Sequence, residues 1–535
     1  MTETVQPGGG TPAAAPVQTG KAGAAAQQPA PGLITQVISN KGLAVGAVGL
    51  FGATVIGVST VAPAYTFTIS LGPAAAEVGT QSPAVILLGF IPMLLVALGY
   101  RELNKVMPDS GTTFTWATRA FGPWVGWMAS WGLVIATVLV LSNLAAVAVD
   151  FLFLLISQLT GVAEIADLTF NPFINVGVCL LFMVGAAYLS FRDMRESKVF
   201  QAVLVGFQVA VLVLFAALAI GKAVSGGVAT AIPFDANWFN PFTVGSVSAI
   251  VAGLSVSIFI FWGWDVTLTM NEETIDPQRT PGRAATLTVI VVGGLYLLLA
   301  VALTMFAGVG DGEGGLLNEG VVENVFFGLA DSIMGPFAFL ISLAVLVSSA
   351  ASLQSTIIGP ARTLLAMGHY RALPARFDSV NPKHKTPVFA IIVSVAVAGG
   401  FYAVMRFISE NVLWDTILTL GMMICFYYGL TAFACVWFFR RQWFDSASAF
   451  LTRLLAPLVG GIILLALFVM TLVDALDPSY GSGENIAGLG LVGVLGLLII
   501  GIGVVIMAVM AVRRPAFFRG EILPMLSPES EKVAR

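Results

Sequence analysis

Three short sets of residues have the types and spacing to handle a ligand, and all of them lie inside long apolar runs. The first is Val55-Ile56-Gly57-Val58-Ser59-Thr60-Val61-Ala62-Pro63, where helix breakers and hydroxyls interrupt the first apolar stretch. In hydrocarbon every backbone N–H and C=O needs a partner, so an unwound segment persists only where protein or a polar cavity surrounds it. A break near Gly57 would let Ser59 or Thr60 cap a second half-helix, with Pro63 in its first turn. Free N–H groups then point one way and free carbonyls the other, which suits a carboxylate and an ammonium at the bilayer midplane. The alternative is a helix that is merely kinked. The second set is Phe259-Ile260-Phe261-Trp262-Gly263-Trp264-Asp265, with a glycine and an acid near the middle of an apolar stretch. A carboxylate there is costly in lipid, and it points either to proton exchange or to capping the second half of its helix. The third is Ser348-Ser349, hydroxyls that suit either a hard cation such as sodium or close helix packing beside Ala350, Ala351 and Ser352. Asn143 is a weaker pocket candidate of the same kind.

The elements that must position these residues are membrane helices. The 535 residues are 57% hydrophobic and 10% charged with a mean hydropathy of +0.92, far from the roughly one-quarter charged content of a soluble domain. The formal net charge of −4 says nothing about partners, because orientation depends on where Lys and Arg sit. Cys179, Cys425 and Cys435 show no ligand spacing, which argues against a disulfide framework or a cysteine metal site. His369 and His384 lie in one basic loop. No phosphate-binding glycine loop or nucleophile elbow is present, so an enzyme is not indicated, and the basic residues are explained by topology rather than nucleic acid.

About 20 apolar residues make one crossing. On that measure the chain predicts twelve spans, at 43–70, 84–100, 124–155, 171–190, 198–223, 244–271, 284–308, 336–368, 386–408, 411–439, 451–474 and 487–512. Residues 1–40, rich in Gly, Ala, Pro and Gln, read as a disordered tail, and residues 514–535 as a second tail. Arg101, Lys105, Arg119, Arg192, Arg195, Arg279, Arg283, Arg371, Arg376, Lys383, Lys385, Arg440 and Arg441 all fall in alternate connections. The opposite loops are acidic, with Lys222 and Arg406 as their basic residues. This places both termini in the cytosol, with the plasma membrane as the expected location. Spans 1 and 6 correspond if the core, 41–440, is two five-helix repeats, about 43–223 and 244–439. Five is odd, so the repeats are inverted, and 441–513 adds two further helices.

The chain resembles the amino acid, polyamine and organocation permeases over roughly residues 43–440. Tyr100-Arg101-Glu102-Leu103, Met107-Pro108-Asp109-Ser110-Gly111 and Ala120-Phe121-Gly122-Pro123 look like the signature after the family's second helix. Phe261 through Asn271-Glu272-Glu273 and Asp276-Pro277-Gln278-Arg279-Thr280-Pro281-Gly282-Arg283-Ala284 look like its sixth helix and the tail beyond it. Gly359-Pro360-Ala361-Arg362, then Leu373-Pro374 and Thr386-Pro387, look like its eighth helix and following loop. The resemblance implies an all-α membrane protein of LeuT type, with a 5+5 inverted repeat. It implies a secondary transporter of a small amine-bearing solute, most simply an amino acid. A polyamine carrier and a ligand-binding sensor are the alternatives. Val55, Gly57, Val58, Ser59 and Thr60 would serve the anionic end of the solute. Phe259, Phe261, Trp262 and Gly263 would serve the amine. Asp265 would couple or gate, and Ser348 with Ser349, set against carbonyls near Thr54 to Gly57, would hold sodium if the coupling ion is not a proton. No cofactor is implied, and monomer and homodimer remain open. The chain departs from the family in its first helix, where Gly57-Val58-Ser59-Thr60-Val61 replaces a Gly-Ser-Gly run. It also lacks, near Gly206-Phe207-Gln208, the helix-5 lysine of some proton-coupled members; Lys198 lies two to three turns earlier.

Overall fold

Hydrocarbon offers the backbone no hydrogen-bond partners, and the chain answers with helices throughout. The computed structural model describes residues 41–191, 194–408 and 412–525, without the side chains of 194–198 and 412–414. The expected N-terminal tail, 1–40, and the short connection at Ser409-Glu410 lie outside the described residues. The elements run α1 (Leu50–Val61), α2 (Pro63–Thr68), α3 (Leu71–Val78), α4 (Ser82–Val106), α5 (Thr113–Phe121), α6 (Pro123–Thr160) and α7 (Pro172–Ser190). They continue with α8 (Met194–Val224), α9 (Val247–Ile260), α10 (Val266–Thr269), α11 (Thr280–Ala307), α12 (Glu319–Val322), α13 (Val325–Met334) and α14 (Phe339–His369). The last are α15 (Val388–Ile408), α16 (Val412–Phe438), α17 (Ala447–Ala449), α18 (Ala456–Asp474), α19 (Leu491–Arg513) and α20 (Pro515–Phe518), with a hairpin of β1 (Asn485–Ile486) and β2 (Leu489–Gly490) between α18 and α19.

Eleven helical stretches among the described residues are long and apolar enough to cross a membrane, counting α1 with α2 as one. The sixth expected span is different: α9 has 14 residues, α10 has four, and an irregular turn separates them. α14 packs along α6, α11 along α4, and α16 along both α6 and α18, so α6, α14 and α16 form the buried heart of the bundle. α7, α15, α18 and α19 keep wide apolar faces exposed, as lipid-facing helices do.

The first span departs from expectation at both ends. Leu43–Gly49 is not helical. Gly42 and Gly46 take φ of 83° and 68°, and the chain runs extended beside residues 273–275. There the N–H groups of Ala47 and Val48 donate to the Glu273 carbonyl at 2.7 and 3.1 Å, and Ile275 N–H donates to the Val48 carbonyl at 2.8 Å. The break does not fall near Gly57. The helix persists through Gly57, Ser59 and Thr60 to Val61, and unwinds at Ala62, which is left-handed at φ 54°, ψ 63°. Pro63 decides this, because a proline disfavours right-handed α geometry at the residue before it.

Gly57 has a packing task instead. A Cβ there would stand 2.4 Å from Thr288 Oγ1 and 2.8 Å from Thr267 Cγ2, so α1 meets α10 and α11 closely at this point. Gly57→Ala is therefore expected to lower stability by about 1 to 3 kcal/mol through overpacking. A melting temperature equal to wild type in detergent would show that α11 yields without cost.

Candidate functional site

The two broken spans touch at their breaks. Gly263 has φ of 108°, and a Cβ on it would lie 3.0 Å from Thr60 Cγ2 and 3.2 Å from the Thr60 carbonyl. Only a residue without a side chain allows both the backbone conformation and the approach. Around this contact the aromatic residues face inward rather than toward lipid. Phe259 meets Tyr65 edge-on at 6.3 Å, and Phe261 lies between Phe90 at 5.8 Å and Tyr296 at 5.4 Å. Trp262 Nε1 donates to Tyr427 Oη at 2.7 Å. Val55, Val58, Ser59 and Thr60 are buried on α1, and of these Thr60 is the one that meets Gly263.

Asp265 is buried and does not cap α10. Its backbone is already right-handed α at φ −71°, ψ −16°, not the extended conformation that turns an N-cap side chain back onto the first-turn N–H groups. The carboxylate points instead to α16, accepting from Tyr428 Oη at 2.8 Å and Tyr427 Oη at 3.2 Å. Tyr428 stacks on Trp264 at 4.9 Å, and Tyr100 packs edge-on against both. Tyr100 Oη meets Thr113 Oγ1 at 3.1 Å, and Thr431 Oγ1 donates to the same hydroxyl at 3.0 Å. The acid thus sits in an aromatic box, each of its oxygens accepting from a tyrosine of α16.

A second polar group joins α1, α8 and α14. Ser59 Oγ donates to Gln201 Oε1 at 2.5 Å, and Gln201 Nε2 donates to the Ala351 carbonyl and to Gln354 Oε1, each at 3.1 Å. Ser355 Oγ donates to Ser59 Oγ at 3.4 Å, and Ser352 Oγ donates to the Thr60 carbonyl at 3.0 Å. Gln201, on the fifth span, is not among the residues that the sequence singles out. The available signal was its spacing of seven from Gln208, which puts two buried amides on one face of α8. The serines that reach α1 are Ser352 and Ser355. Ser348 and Ser349 are fully buried nearer the start of α14, and their hydroxyls have no hydrogen-bond partner among the described residues. Asn143 accepts from Thr416 Oγ1 at 2.9 Å.

One end of the bundle, the face carrying the basic loops, is closed by charge. Lys41 Nζ is buried against Asp109 Oδ2 at 2.8 Å and Glu272 Oε1 at 2.5 Å. Tyr370 Oη donates to Asp109 Oδ2 at 2.6 Å, Thr115 Oγ1 donates to Asp109 Oδ1 at 2.7 Å, and Ser110 N–H donates to Glu272 at 3.0 Å. Beside them Arg362 forms a two-pronged ion pair with Glu273. Burial pulls the Lys41 ammonium down, but Asp109 and Glu272 outweigh it and hold it above its ordinary value. Burial likewise works to raise Asp109, yet the charge and hydrogen bond of Lys41, with those of Tyr370 and Thr115, hold it below the usual carboxyl range. Glu272 is raised by burial and by the nearby Asp109 charge, with Lys41 only partly opposing. Asp109, Ser110, Glu272, Glu273 and Arg362 lie in the segments quoted for the resemblance, but nothing in sequence spacing indicates that Lys41 closes on them.

The family model described as amino acid permease matches residues 48–497. The chain belongs to the amino acid permease family. The permease is 23% identical over 357 residues to the branched-chain amino acid permease BcaP of Bacillus subtilis, covering 64% of this chain and 71% of that one. It is 27% identical over 383 residues to the vacuolar cationic amino acid transporter 4 of Arabidopsis thaliana, covering 68% and 59%. With the low-affinity putrescine importer PlaP of Escherichia coli it shares 22% over 395 residues, covering 72% and 80%. These relatives are members of the amino acid, polyamine and organocation superfamily. Among solved structures, MhsT in complex with L-phenylalanine superposes with a TM-score of 0.55 at 16% identity, covering 77% of this chain and 98% of that one. The permease therefore has the LeuT-type fold, and its family is one of transporters rather than enzymes.

Proposed function

We propose that this permease carries an amino acid across the plasma membrane by alternating access, with both termini and the basic face in the cytosol. The observation that carries the reading is the close approach of the sixth-span break at Gly263 to Thr60, two residues before the first break, ringed by inward-facing aromatics with Asp265 two residues beyond Gly263. Half-helix ends supply dipoles of both signs for a zwitterion, and the aromatic faces suit its ammonium. A polyamine is the second reading, favoured by the Asp265 carboxylate and by the putrescine importer among the relatives. Uptake of labelled amino acids and of putrescine into proteoliposomes separates the two. Saturable binding without any flux would instead favour a sensor.

For coupling, we assign the proton to Asp265. The Gln201 amide supports this, because its partners on α1 and α14 are already satisfied by a neutral group at the seam where a cation would otherwise bridge them. The unpartnered hydroxyls of Ser348 and Ser349 are the observation on the side of sodium. Replacing external sodium by choline is expected to change uptake by less than about twofold, under 0.5 kcal/mol. Ser348→Ala with Ser349→Ala is expected to leave it equally unaffected. A steep sodium dependence lost in that double variant would move the coupling site to α14.

A further inference from the structure

Beyond α19 the chain is not a free tail. α20 turns the chain back onto the basic face, and Phe517, Phe518 and Leu523 are buried there, with Phe517 only 1% exposed. The Phe517 ring stacks on Phe114 in α5 at 5.5 Å and 24°, Phe518 packs against Trp124 at 4.8 Å, and Arg119 Nη1 donates to the Pro524 carbonyl at 3.3 Å. The described part of the C-terminal tail, 514–525, is thus packed onto the bundle. The contacts continue inward. Phe114 lies against Tyr370 at 6.2 Å, and Tyr370 both donates to Asp109 and covers Lys41 Nζ, which stands 5.6 Å from its ring. α5 begins immediately after the loop that carries Asp109, so one short helix holds the partner of Lys41 at its start and the C-terminal ring on its side.

We propose that residues 515–525 form a strap that pins α5 to the bundle and thereby keeps the Lys41–Asp109–Glu272 latch shut, so that the C-terminal segment sets how often the basic face opens. Phe517 acts through Phe114 and Tyr370 and touches none of the charged groups, which makes it a positioning residue. A mere lipid-facing tail would gain nothing from an aromatic contact with the bundle at both of its phenylalanines. The consequence for transport rests on the alternating-access reading, but the closure itself is measurable without any solute.

The test is hydrogen–deuterium exchange on the full chain in nanodiscs, read at residues 41–49, where the Ala47 and Val48 N–H groups bond to Glu273 only while the segment is docked. In Phe517→Ala these amides are expected to exchange at least about threefold faster, with peptides of α6 and α16 unchanged. Phe517→Leu, which keeps apolar volume but not the stacked ring, should fall between, and it carries the test if the alanine variant loosens α6 or α16. Lys41→Met should exchange faster by itself, and adding Phe517→Ala to it should bring no further gain, because two changes that act through one latch are not additive. Wild-type exchange at 41–49 in both Phe517 variants, or a fully additive gain in the double variant, would overturn the proposal. A wrong solute or coupling assignment leaves these outcomes untouched.

Discussion

Asp265→Asn is expected to abolish solute accumulation driven by an imposed pH gradient, lowering the initial rate by more than about tenfold, or 1.4 kcal/mol. Exchange of solute across the membrane without a gradient should persist. The substitution keeps size and shape, and the amide oxygen still accepts from Tyr428, but an amide does not titrate. Asp265→Ala separates loss of the proton site from loss of the fold. It removes the acceptor for two buried phenols, Tyr427 and Tyr428, and an unsatisfied buried hydroxyl costs about 1 to 3 kcal/mol. The alanine variant should therefore melt earlier as well as lose coupling, while the asparagine variant loses coupling at nearly the wild-type melting temperature. Full pH-driven accumulation by Asp265→Asn would leave the carboxylate as a structural acceptor that ties α10 to α16, and coupling would have to be sought elsewhere.

What could be read in the sequence was set by hydrophobicity and by helix breakers. Apolar length and the alternation of basic and acidic loops predict the spans, because each depends on local composition alone. Gly263 marks the sixth break correctly, since a positive φ beside a close backbone contact leaves no other choice. The first break lies five residues beyond Gly57: Gly57 and Pro63 both read as breakers in sequence, and only the packing of Gly57 against Thr267 and Thr288 reveals it as a contact glycine. The partners of Asp265 lie more than 160 residues away on α16. A two-tyrosine run in an apolar helix carries no local mark of facing an acid. Gln201 and the latch were missed for the same reason, since both are defined by elements distant in the chain. Buried polar residues in such helices are the sequence feature that points across an interface: Gln201 bonds to both α1 and α14, whereas neither amide atom of Gln208 has a hydrogen-bond partner among the described residues.

Lys41→Met is expected to open the basic face. In wild type one ammonium bridges two buried carboxylates, and removing it leaves Asp109 and Glu272 as neighbouring acids in a buried site with no cation between them. Breaking a buried ion pair from one side costs about 3 to 5 kcal/mol. The permease can escape that cost by letting residues 41–49 undock and water reach the acids, so the cost becomes a population shift. At 1.4 kcal/mol per tenfold, this is roughly two to three and a half orders of magnitude toward the open form. Adding Glu272→Gln should recover part of the closure, because Asp109 keeps its bonds from Thr115, Gly111 N–H and Tyr370. The pH dependence follows from the directions of the shifts. Lys41, held above 10.5, contributes fully below that value and loses its contribution only as pH rises through its folded pKa. Asp109, held below 3.8, contributes above that value and fades only as pH falls through its still lower folded pKa. Glu272, raised above 4.5, is the member that protonates first on acidification, and its proton relieves repulsion with Asp109 rather than opening the latch. Between the carboxyl range and the ammonium range the Lys41–Asp109 pair stays charged. By the same linkage Glu272 strengthens closure as pH falls through its raised folded pKa, so wild-type protection at 41–49, corrected for intrinsic exchange, should hold or rise on acidification and should not fall. Lys41→Met protein with wild-type protection at Ala47 and Val48 would show that the bonds to Glu273 close this face without the charge.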